Sequence, residues 1–485
     1  MIHEGWNFEH TYAQLPEIFY KRQKPADVPA PQMVLFNREL AEDLGLNADI
    51  LSNASDIFSG ASLPDDANPI AMAYGGYQFG HFAMLGDGRA ILLGEQITPN
   101  GQRFDIQLKG SGRTPYSRGG DGLAALSPML REYIISEAMF NLGIPTTRSL
   151  AVALTGKDVV REKILSGAVL TRVASSHIRV GTFNYISAFG SEEDLLKLAD
   201  YTILRHFPWL KNQEDKYLLF LRETAARQAS LIAKWQAIGF IHGVMNTDNM
   251  AISGETIDYG PCAFMDTYDP NTVFSSIDRF GRYAYKNQPA IGAWNLSKFA
   301  ESLLPILHEN RDKAIELANH EIDRYWQCYN EKWLDCMRAK LGILTEESDD
   351  AEIITELLDI MYKHKLDYTI TFRTLCYIDR KTSPLFYIYD FVNWQKKWTD
   401  RINKQSQGSN HALNVMKNHN PAVIPRNYRV EEALAVAEHG DLAVLSNLLN
   451  ALRSPYDEDE SEEASIYSLA PEASACCGYK TFCGT

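Results

Sequence analysis

The chain has 485 residues, more than one ordinary hydrophobic core holds, and this length predicts two or three packed units. Apolar residues make up 45% of the sequence and charged residues 22%, which is typical of a globular protein. The formal charge of −15 argues against a nucleic-acid partner, because binding to phosphates would need a basic face.

A membrane partner is also disfavoured by the sequence. No apolar run approaches the roughly 20 residues needed to span a bilayer. The start of the chain, "MIHEGWNFEH", has neither the basic nor the apolar region of a secretion signal, and it lacks the arginines of a transit peptide. We therefore expect a cytoplasmic protein.

The order of predicted elements favours an α+β protein. Glycine-rich turns between β-branched and aromatic runs predict strands before residue 110, and helical periodicity dominates residues 192–237 and 295–455. A two-lobed protein-kinase-like fold has this order, although many α+β proteins share it. The predicted segments are an N-terminal arm (1–70), a small β-rich lobe with one helix (71–155), a helical lobe (156–330), a helical C-terminal extension (331–455) and an acidic tail that contains cysteines (456–485).

Two stretches of the β-rich lobe contain residues suited to phosphate binding. In "LGDGRA", Gly86 and Gly88 would let the backbone come close to a phosphate, and Arg89 would add a positive charge. A plain hairpin turn explains this pattern equally well. Lys109 ends the alternating strand "FDIQLK", either as an edge lysine whose head reaches water or as a lysine that grips phosphates.

The stretch "SPMLREYIISEAMFNLGI" predicts the helix that follows this strand. Ser127 would cap its start, and Gly143 would end it. The helix offers Glu132 as a partner for Lys109, with Glu137 as the second choice. Because the two glutamates are five positions apart, they point to different faces of a helix, and we prefer Glu132.

Residues 110–122, "GSGRTPYSRGGDG", predict a loop rich in glycine and serine between that strand and that helix. It is either a flexible surface loop or a loop that faces phosphates with the help of Arg113 and Arg118. Asp121 and Gly122 close it.

Two further arginines occur in "LTRVASSHIRVGTFNY". Arg172 and Arg179 are seven positions apart and would share a face if the stretch were helical. Paired arginines can hold a phosphate bidentately, whereas arginines at the surface commonly form ion pairs instead.

The stretch "HGVMNTDNMAISGETIDYGP", residues 242–261, is the most specific signal in the chain. It resembles the catalytic and metal-binding loop of a kinase, in which an Asp takes the proton and an Asn and a second Asp hold Mg²⁺. Asn249 and Asp258 fit the two metal ligands, but Val244 stands where the proton-accepting Asp would be. Asp248, a carboxylate directly before Asn249, is either the replacement base or a turn residue that caps the local backbone.

Several long blocks together resemble the selenoprotein O (YdiU) family. They include "YGGYQFGHFAMLGDGRAILLGE", "QLKGSGRTPYSRGGDGLAALSPMLREYIISEAMFNLGIPTTRSLA" and "NPAVIPRNYRVEEAL", besides the arginine stretch and the loop just described. The resemblance implies a pseudokinase fold that binds ATP in a flipped orientation, with Mg²⁺ or Mn²⁺. It implies transfer of AMP from ATP, or of UMP from UTP, to hydroxyl side chains of proteins.

The resemblance also implies roles for individual residues. Asp248 would accept the proton, and Asn249 and Asp258 would hold the metal. The implied nucleotide-binding residues are Gly86, Gly88, Arg89, Lys109, Asp121, Gly122, Arg172, Arg179 and Asp258.

Seven cysteines leave a redox function open. Those in helical stretches, at positions 328, 336 and 376, fit reduced core thiols. Some family members join a thiol near the C-terminus to a cysteine downstream of the Asp-x-Gly triplet. Here Cys483 matches the tail thiol, Cys262 close behind Gly260 is the nearby candidate for its partner, and Cys476 and Cys477 are additional.

Two functions without nucleotide transfer also stay open at the level of the sequence. One is a silent scaffold that binds a nucleotide without turnover. The second is a kinase that transfers the γ-phosphoryl group, which Val244 disfavours.

Overall fold

Residues 4–377, 383–457, 466–471 and 481 are described by a computed structural model. Within them, an antiparallel sheet is followed along the chain by a body of helices, so the structure is a mixed α/β protein. The acidic run that begins at Asp457 extends beyond the described residues, and Cys476, Cys477 and Cys483 lie outside them. None of the described helices is both long enough and apolar enough to cross a membrane.

The strands are β1 (Phe8–Glu9), β2 (Tyr20–Arg22), β3 (Gln32–Phe36), β4 (Ile70–Met72), β5 (Gly75–Gln78), β6 (His81–Met84), β7 (Ala90–Ile97), β8 (Arg103–Lys109), β9 (Arg148–Val160), β10 (Ile164–Ala174), β11 (Phe240–Ile241) and β12 (Ala263–Phe264). The main sheet has eight strands in the order β2-β4-β7-β8-β10-β9-β3, with β1 paired to β7. Two small antiparallel pairs lie outside it: the hairpin of β5 and β6, and β11 with β12.

The helices follow the predicted order. They are α1 (Arg38–Asp43), α2 (Ala48–Leu51), α3 (Ser55–Ser59), α4 (Leu126–Asn141), α5 (Val180–Phe189), α6 (Glu192–His206), α7 (Lys216–Ile238), α8 (Gln288–Leu307), α9 (Arg311–Lys340), α10 (Asp350–His364), α11 (Tyr368–Leu375), α12 (Tyr389–Asn403), α13 (Ser409–His419), α14 (Asn427–Ala437) and α15 (Ala443–Ala451).

The N-terminal arm covers one face of the sheet and also extends it. Leu44, Leu51 and Phe58 pack with Ile106 and Val169 in one buried cluster. The arm contributes β1, β2 and β3 to the sheet itself. Strands β9 and β10 carry the sheet past position 155, where exposed residues such as Val160 and Ile164 lie beyond the buried part of both strands.

Strand alternation places the polar residues of β8 and β10 on the face opposite the arm. Ile106 and Leu108 face the arm cluster, so Gln107 and Lys109 face the side on which α4 packs. Arg172 of β10 lies directly opposite Gln107 in the antiparallel register and therefore shares this face.

Helix α4 begins slightly earlier than the sequence predicts. Its cap position is Ala125, which forms no side-chain cap, so the prediction of Ser127 as the cap is wrong. The Ser127 hydroxyl instead donates a hydrogen bond to Glu438. Gly143, with φ +73°, follows the last helical turn as predicted.

Candidate active site

A cavity of about 600 Å³ lies between the α4 face of the sheet and the loop at 242–260. Its walls include every nucleotide-binding, catalytic and metal-binding residue that the family resemblance implies: Gly86, Gly88, Arg89, Lys109, Asp121, Gly122, Arg172, Arg179, Asp248, Asn249 and Asp258. Arg118 also lines the cavity, but Arg113 does not. Its volume is in the usual range for a small-molecule site.

Asp258 is surrounded by three cationic side chains. Its Oδ1 accepts hydrogen bonds from Lys109 Nζ at 2.8 Å and from Arg172 Nη2 at 2.6 Å, and its Oδ2 lies 3.8 Å from Arg179 Nη2. Burial alone would raise the pKa of this carboxyl, but Arg172, Lys109 and Arg179 hold it well below its usual value. Asp258 is therefore ionised.

The predicted pairing of Lys109 with Glu132 is confirmed. Lys109 Nζ lies 2.7 Å from Glu132 Oε2, and Arg172 Nε donates to the other oxygen of the same carboxylate at 2.9 Å. Glu137 points to the other face of α4, where its carboxylate accepts hydrogen bonds from Arg148 at 2.9 and 2.6 Å. The two glutamates thus serve separate ion pairs.

The stretch that contains Arg172 and Arg179 is not one helix, so the two arginines do not share the helix face that a helical stretch would give them. Arg172 lies on β10, and Arg179 is the residue that precedes α5. The stretch changes from strand to helix between them, at residues 175–178. The two side chains meet because β10 ends beside the start of α5, and both reach Asp258.

Asp87 is a site residue that the sequence analysis missed. It is buried, and its Oδ2 accepts hydrogen bonds from Met72 N at 3.1 Å and Gln107 Nε2 at 3.2 Å. Among the described residues its Oδ1 has no hydrogen-bond partner, although Arg179 Nη1 lies 3.8 Å away. Burial raises the pKa of Asp87 to about 6, despite the opposing effect of Arg179.

Arg179 has unused hydrogen-bonding capacity in this arrangement. Its guanidinium carbon lies 4.3 Å from the Tyr74 ring centroid, and its Nη1 donates to His177 O at 3.1 Å. Its Nε is buried and has no partner among the described residues. A buried donor of this kind is costly unless a ligand or water satisfies it.

The loop that contains Asp248 is fixed from several sides. His242 Nε2 and Ile257 O lie 3.0 Å apart, which ties the start of the loop to the residue before Asp258. Asn249 Nδ2 donates to Val244 O at 3.0 Å, so its amide oxygen is the atom left for a ligand. Val244 itself is buried.

Asp248 lies in a short 3-10 turn and is enclosed by two glycines. A Cβ on Gly76 would stand 2.2 Å from Asp248 Oδ1, and one on Gly181 would stand 3.1 Å from Asp248 Cα. Burial raises the pKa of Asp248 to about 6. Its Oδ1 has no hydrogen-bond partner in the described chain. A proton acceptor with a pKa near the working pH is suited to general-base catalysis.

The two glycine-rich loops form one wall together. Gly86 has φ +125°, and a Cβ there would stand 2.5 Å from the Tyr116 ring. Thr114 Oγ1 donates to Asp87 O at 2.7 Å, which fastens the loop at 110–122 to the turn at 86–89. Asp121 lies at the exposed edge and binds Arg161, whose hydrogen bonds lower the pKa of Asp121.

The carboxylates that the described residues provide do not form an all-protein metal cage. No group of three His, Cys, Asp or Glu side chains in that part of the chain is placed to hold an ion. Asn249 and Asp258 both line the cavity, however, and offer one amide and one carboxylate oxygen. This donor set fits Mg²⁺ or Mn²⁺, which are usually bound by one or two protein oxygens together with substrate phosphates.

Comparison with known proteins gives one consistent result. A family model described as "Protein adenylyltransferase SelO" matches residues 4–453. The chain is 58% identical to "Protein nucleotidyltransferase YdiU" of Clostridium beijerinckii, over 99% of this chain and 98% of that protein. Proteins of the same name from Bacillus cytotoxicus and Brevibacillus brevis are 58% identical (99% of this chain, 98% of that protein) and 57% identical (100% of this chain, 99% of that protein).

Proposed function

The chain belongs to the SelO family of protein adenylyltransferases, and we propose that it transfers AMP from ATP to hydroxyl side chains of proteins and releases pyrophosphate. It is an enzyme that transfers a nucleotide, as its relatives' names state for proteins of the same length. The proposal that AMP, and not phosphate, is transferred depends on one observation. A buried carboxylate, Asp248, lines the same cavity as three cationic side chains, while Val244 occupies the position of the kinase base.

The arrangement of elements supports a two-lobed, kinase-like fold. The ion pair between Lys109 on a strand and Glu132 on the following helix corresponds to the strand lysine and helix glutamate of protein kinases. The loop at 242–249 and Asp258 follow in the kinase order. In this proposal the sheet with α4 forms the smaller lobe and the later helices form the larger lobe.

Lys109, Arg172 and Arg179 would bind the β- and γ-phosphates. Lys109 and Arg172 pair closely with Glu132 and Asp258, whereas Arg179 lies 3.8 Å from both Asp258 and Asp87 and is the least engaged of the three cations. Arginine donors in a buried site bind phosphate oxygens bidentately. With the γ-phosphate held there, the α-phosphate faces the entrance, where a protein side chain can approach.

Asp248 would act as the general base. The substrate oxygen attacks the α-phosphorus and forms the new P–O bond, while the bond from that phosphorus to the β-bridging oxygen breaks. Asp248 takes the hydroxyl proton, and the electron pair of the broken bond leaves with pyrophosphate. The cations neutralise the charge that develops on this leaving group.

Asn249 and Asp258 would hold Mg²⁺ or Mn²⁺. When bound, the ion neutralises phosphate charge and favours departure of pyrophosphate. Because Lys109 and Arg172 already hold Asp258 Oδ1, that carboxylate keeps its charge and its position without the ion.

Labelled nucleotides test this function directly. Protein is incubated with Mg²⁺ or Mn²⁺ and with ATP labelled on either the α- or the γ-phosphate; α-labelled UTP tests the second candidate nucleotide. We expect α-label on protein, including the enzyme itself, together with free pyrophosphate, and no transfer after chelation with EDTA. Transfer of γ-label without α-label would make the protein a kinase, and nucleotide binding without either transfer would make it a scaffold.

A further inference from the structure

Four aromatic side chains, two of them exposed and two half-buried, pack in a row beside the loop that carries Asp248. We call it the aromatic platform and define it as Phe189, Phe82, Tyr77 and Trp294. Consecutive ring centroids lie 6.2, 5.4 and 5.7 Å apart, so the surface runs from the end of α5 across the β5–β6 hairpin to α8. Phe82 is 37% exposed, Phe189 is 53% exposed and the neighbouring Met84 is 50% exposed. Large apolar side chains gathered in this way are characteristic of interaction sites.

The β5–β6 hairpin is fastened to the loop at 246–248. Tyr77 N donates to Thr247 Oγ1 at 2.9 Å, and Phe79 N donates to Asn246 Oδ1 at 3.3 Å. Phe79 has φ +50°, a conformation that is strained for a bulky residue and persists only where its surroundings impose it. The platform is therefore held in a fixed position against the residues on either side of Asp248.

Two cations border the platform. Lys298 Nζ lies 5.3 Å from the Tyr77 ring centroid and is already paired with Glu301 at 2.7 Å. The guanidinium carbon of Arg282 lies 4.7 Å from the Trp294 ring centroid. The guanidinium carbon of Arg282 also lies 5.7 Å from the Tyr283 ring centroid, and its buried Nε has no hydrogen-bond partner among the described residues. The chain as a whole is negatively charged, so the positive charge of Arg282 distinguishes this part of the surface. A carboxylate of a bound partner would be attracted to it.

We infer that the aromatic platform docks the protein substrate: a segment in which the target hydroxyl is accompanied by an aromatic or long aliphatic side chain that packs on Phe82, and by a carboxylate that pairs with Arg282. This inference rests on the proposed function. The hairpin presents Gln78 to the cavity and carries Tyr77 and Phe82 on its other face, so a segment that brings its hydroxyl to Asp248 can pass over the hairpin and contact the platform. A protein segment suits this surface, since aromatic and arginine side chains supply much of the binding energy in protein interfaces.

Synthetic peptides provide a direct test. Each peptide contains one Ser, Thr or Tyr, with either Phe or Gly and either Asp or Lys nearby, and is incubated with the full chain and α-labelled ATP. We expect the highest kcat/KM for peptides with both Phe and Asp. In Phe82→Ser or Phe189→Ser, the preference for Phe over Gly should fall by about tenfold or more. In Arg282→Glu, the preference for Asp over Lys should reverse.

Controls separate docking from other effects. Ile315→Ser removes an apolar side chain of similar exposure, 38%, from α9 outside the platform and should retain both preferences. Calorimetry should show unchanged ATP affinity in the platform variants, and thermal unfolding should show that they remain folded; Met84→Ser is the substitute for a variant that does not fold. Equal use of all peptides by the unmodified enzyme, or unchanged preferences in the platform variants, would overturn the inference. Absence of α-label from every peptide and from the enzyme itself would overturn the proposed function, and the inference with it.

Discussion

Asp248 shows how the site depends on single positions far apart in the chain. Its carboxylate fits beneath the hairpin because position 76 has no side chain, and its backbone fits beside α5 because position 181 has none. Both glycines are far from the loop in the sequence, so the sequence of the loop does not show that they make room for Asp248. The identity of the candidate base could be predicted from the loop, but its enclosure could not.

The same limit explains the missed residue in the glycine-rich turn. The pattern at 85–90 directs attention to Gly86 and Gly88, whereas the buried carboxylate between them contacts Gln107 and lies near Arg179. A carboxylate flanked by two glycines was the available signal for Asp87. Its partners come from β8 and from the start of α5, which only the fold brings together.

At the residue scale, Asp248 and Asn249 should fail differently. Asp248→Ala removes the proton acceptor, so AMP transfer should fall by about 10²–10⁴-fold while ATP affinity in the presence of metal stays near normal. Asn249→Ala removes a metal ligand, so metal-dependent ATP binding should weaken as well, with partial rescue at high Mn²⁺. Calorimetry and α-label transfer on both variants check this; equal loss of ATP binding in the two variants would contradict the assignment.

At the scale of elements, the strands and helices near the site could be predicted from the sequence better than the places where one element ends and the next begins. Alternation in "FDIQLK" is sufficient to place Lys109 on the face opposite Ile106 and Leu108. Helical geometry is sufficient to separate Glu132 from Glu137 on α4. The strand-to-helix change between Arg172 and Arg179 has no strong turn signal, since "VASSHI" contains neither Gly nor Pro. Spacing alone therefore suggested one helix face.

Two glutamates on opposite faces of α4 provide a matched pair of variants, one that affects the site and one that affects stability. Glu132→Gln removes the charge that Lys109 and Arg172 share, so both cations should shift and AMP transfer should fall. Glu137→Gln weakens the contacts to Arg148 and Ser149 N on the other face. It should lower the free energy of unfolding by about 1–3 kcal/mol and leave kcat unchanged.

Denaturant unfolding and α-label transfer, both measured at a temperature at which each variant is folded, distinguish the two roles. A loss of kcat in Glu137→Gln equal to that in Glu132→Gln would show that the face of α4 does not determine the effect.

At the scale of the whole molecule, the site differs in charge from the rest of the protein. The chain carries a formal charge of −15, yet Lys109, Arg172 and Arg179 converge on one cavity. Such a concentration of cations within an acidic protein favours a small polyanion over an extended one. Composition predicts the absence of a nucleic-acid face, and only the fold shows where the positive charge is gathered.

Thr481 contacts residues beside the site. Thr481 N donates to Phe274 O at 2.9 Å, and Thr481 Oγ1 donates to Pro261 O at 2.7 Å. Pro261 lines the cavity close to Asp258. We predict that a disulfide between Cys483 and Cys262 restrains this segment, so AMP transfer by the oxidised protein should rise when dithiothreitol is added.

Cys483→Ser should be insensitive to dithiothreitol, whereas Cys328→Ser, a change on α9, should respond like the unmodified protein. Equal activity with and without dithiothreitol in the unmodified protein would show that the tail cysteines do not regulate transfer.

We propose that Lys109, Arg172 and Arg179 set the orientation of the nucleotide, so that AMP transfer does not need an acid at position 244. The most direct measurement is transfer of α- and γ-label from ATP by the Val244→Asp variant, which restores the acid of the kinase loop. The orientation is unchanged in this variant, so we predict that α-label is still transferred and that γ-label is not. Transfer of γ-label by Val244→Asp would contradict the account, because it would place the γ-phosphate, and not the α-phosphate, beside the entering hydroxyl.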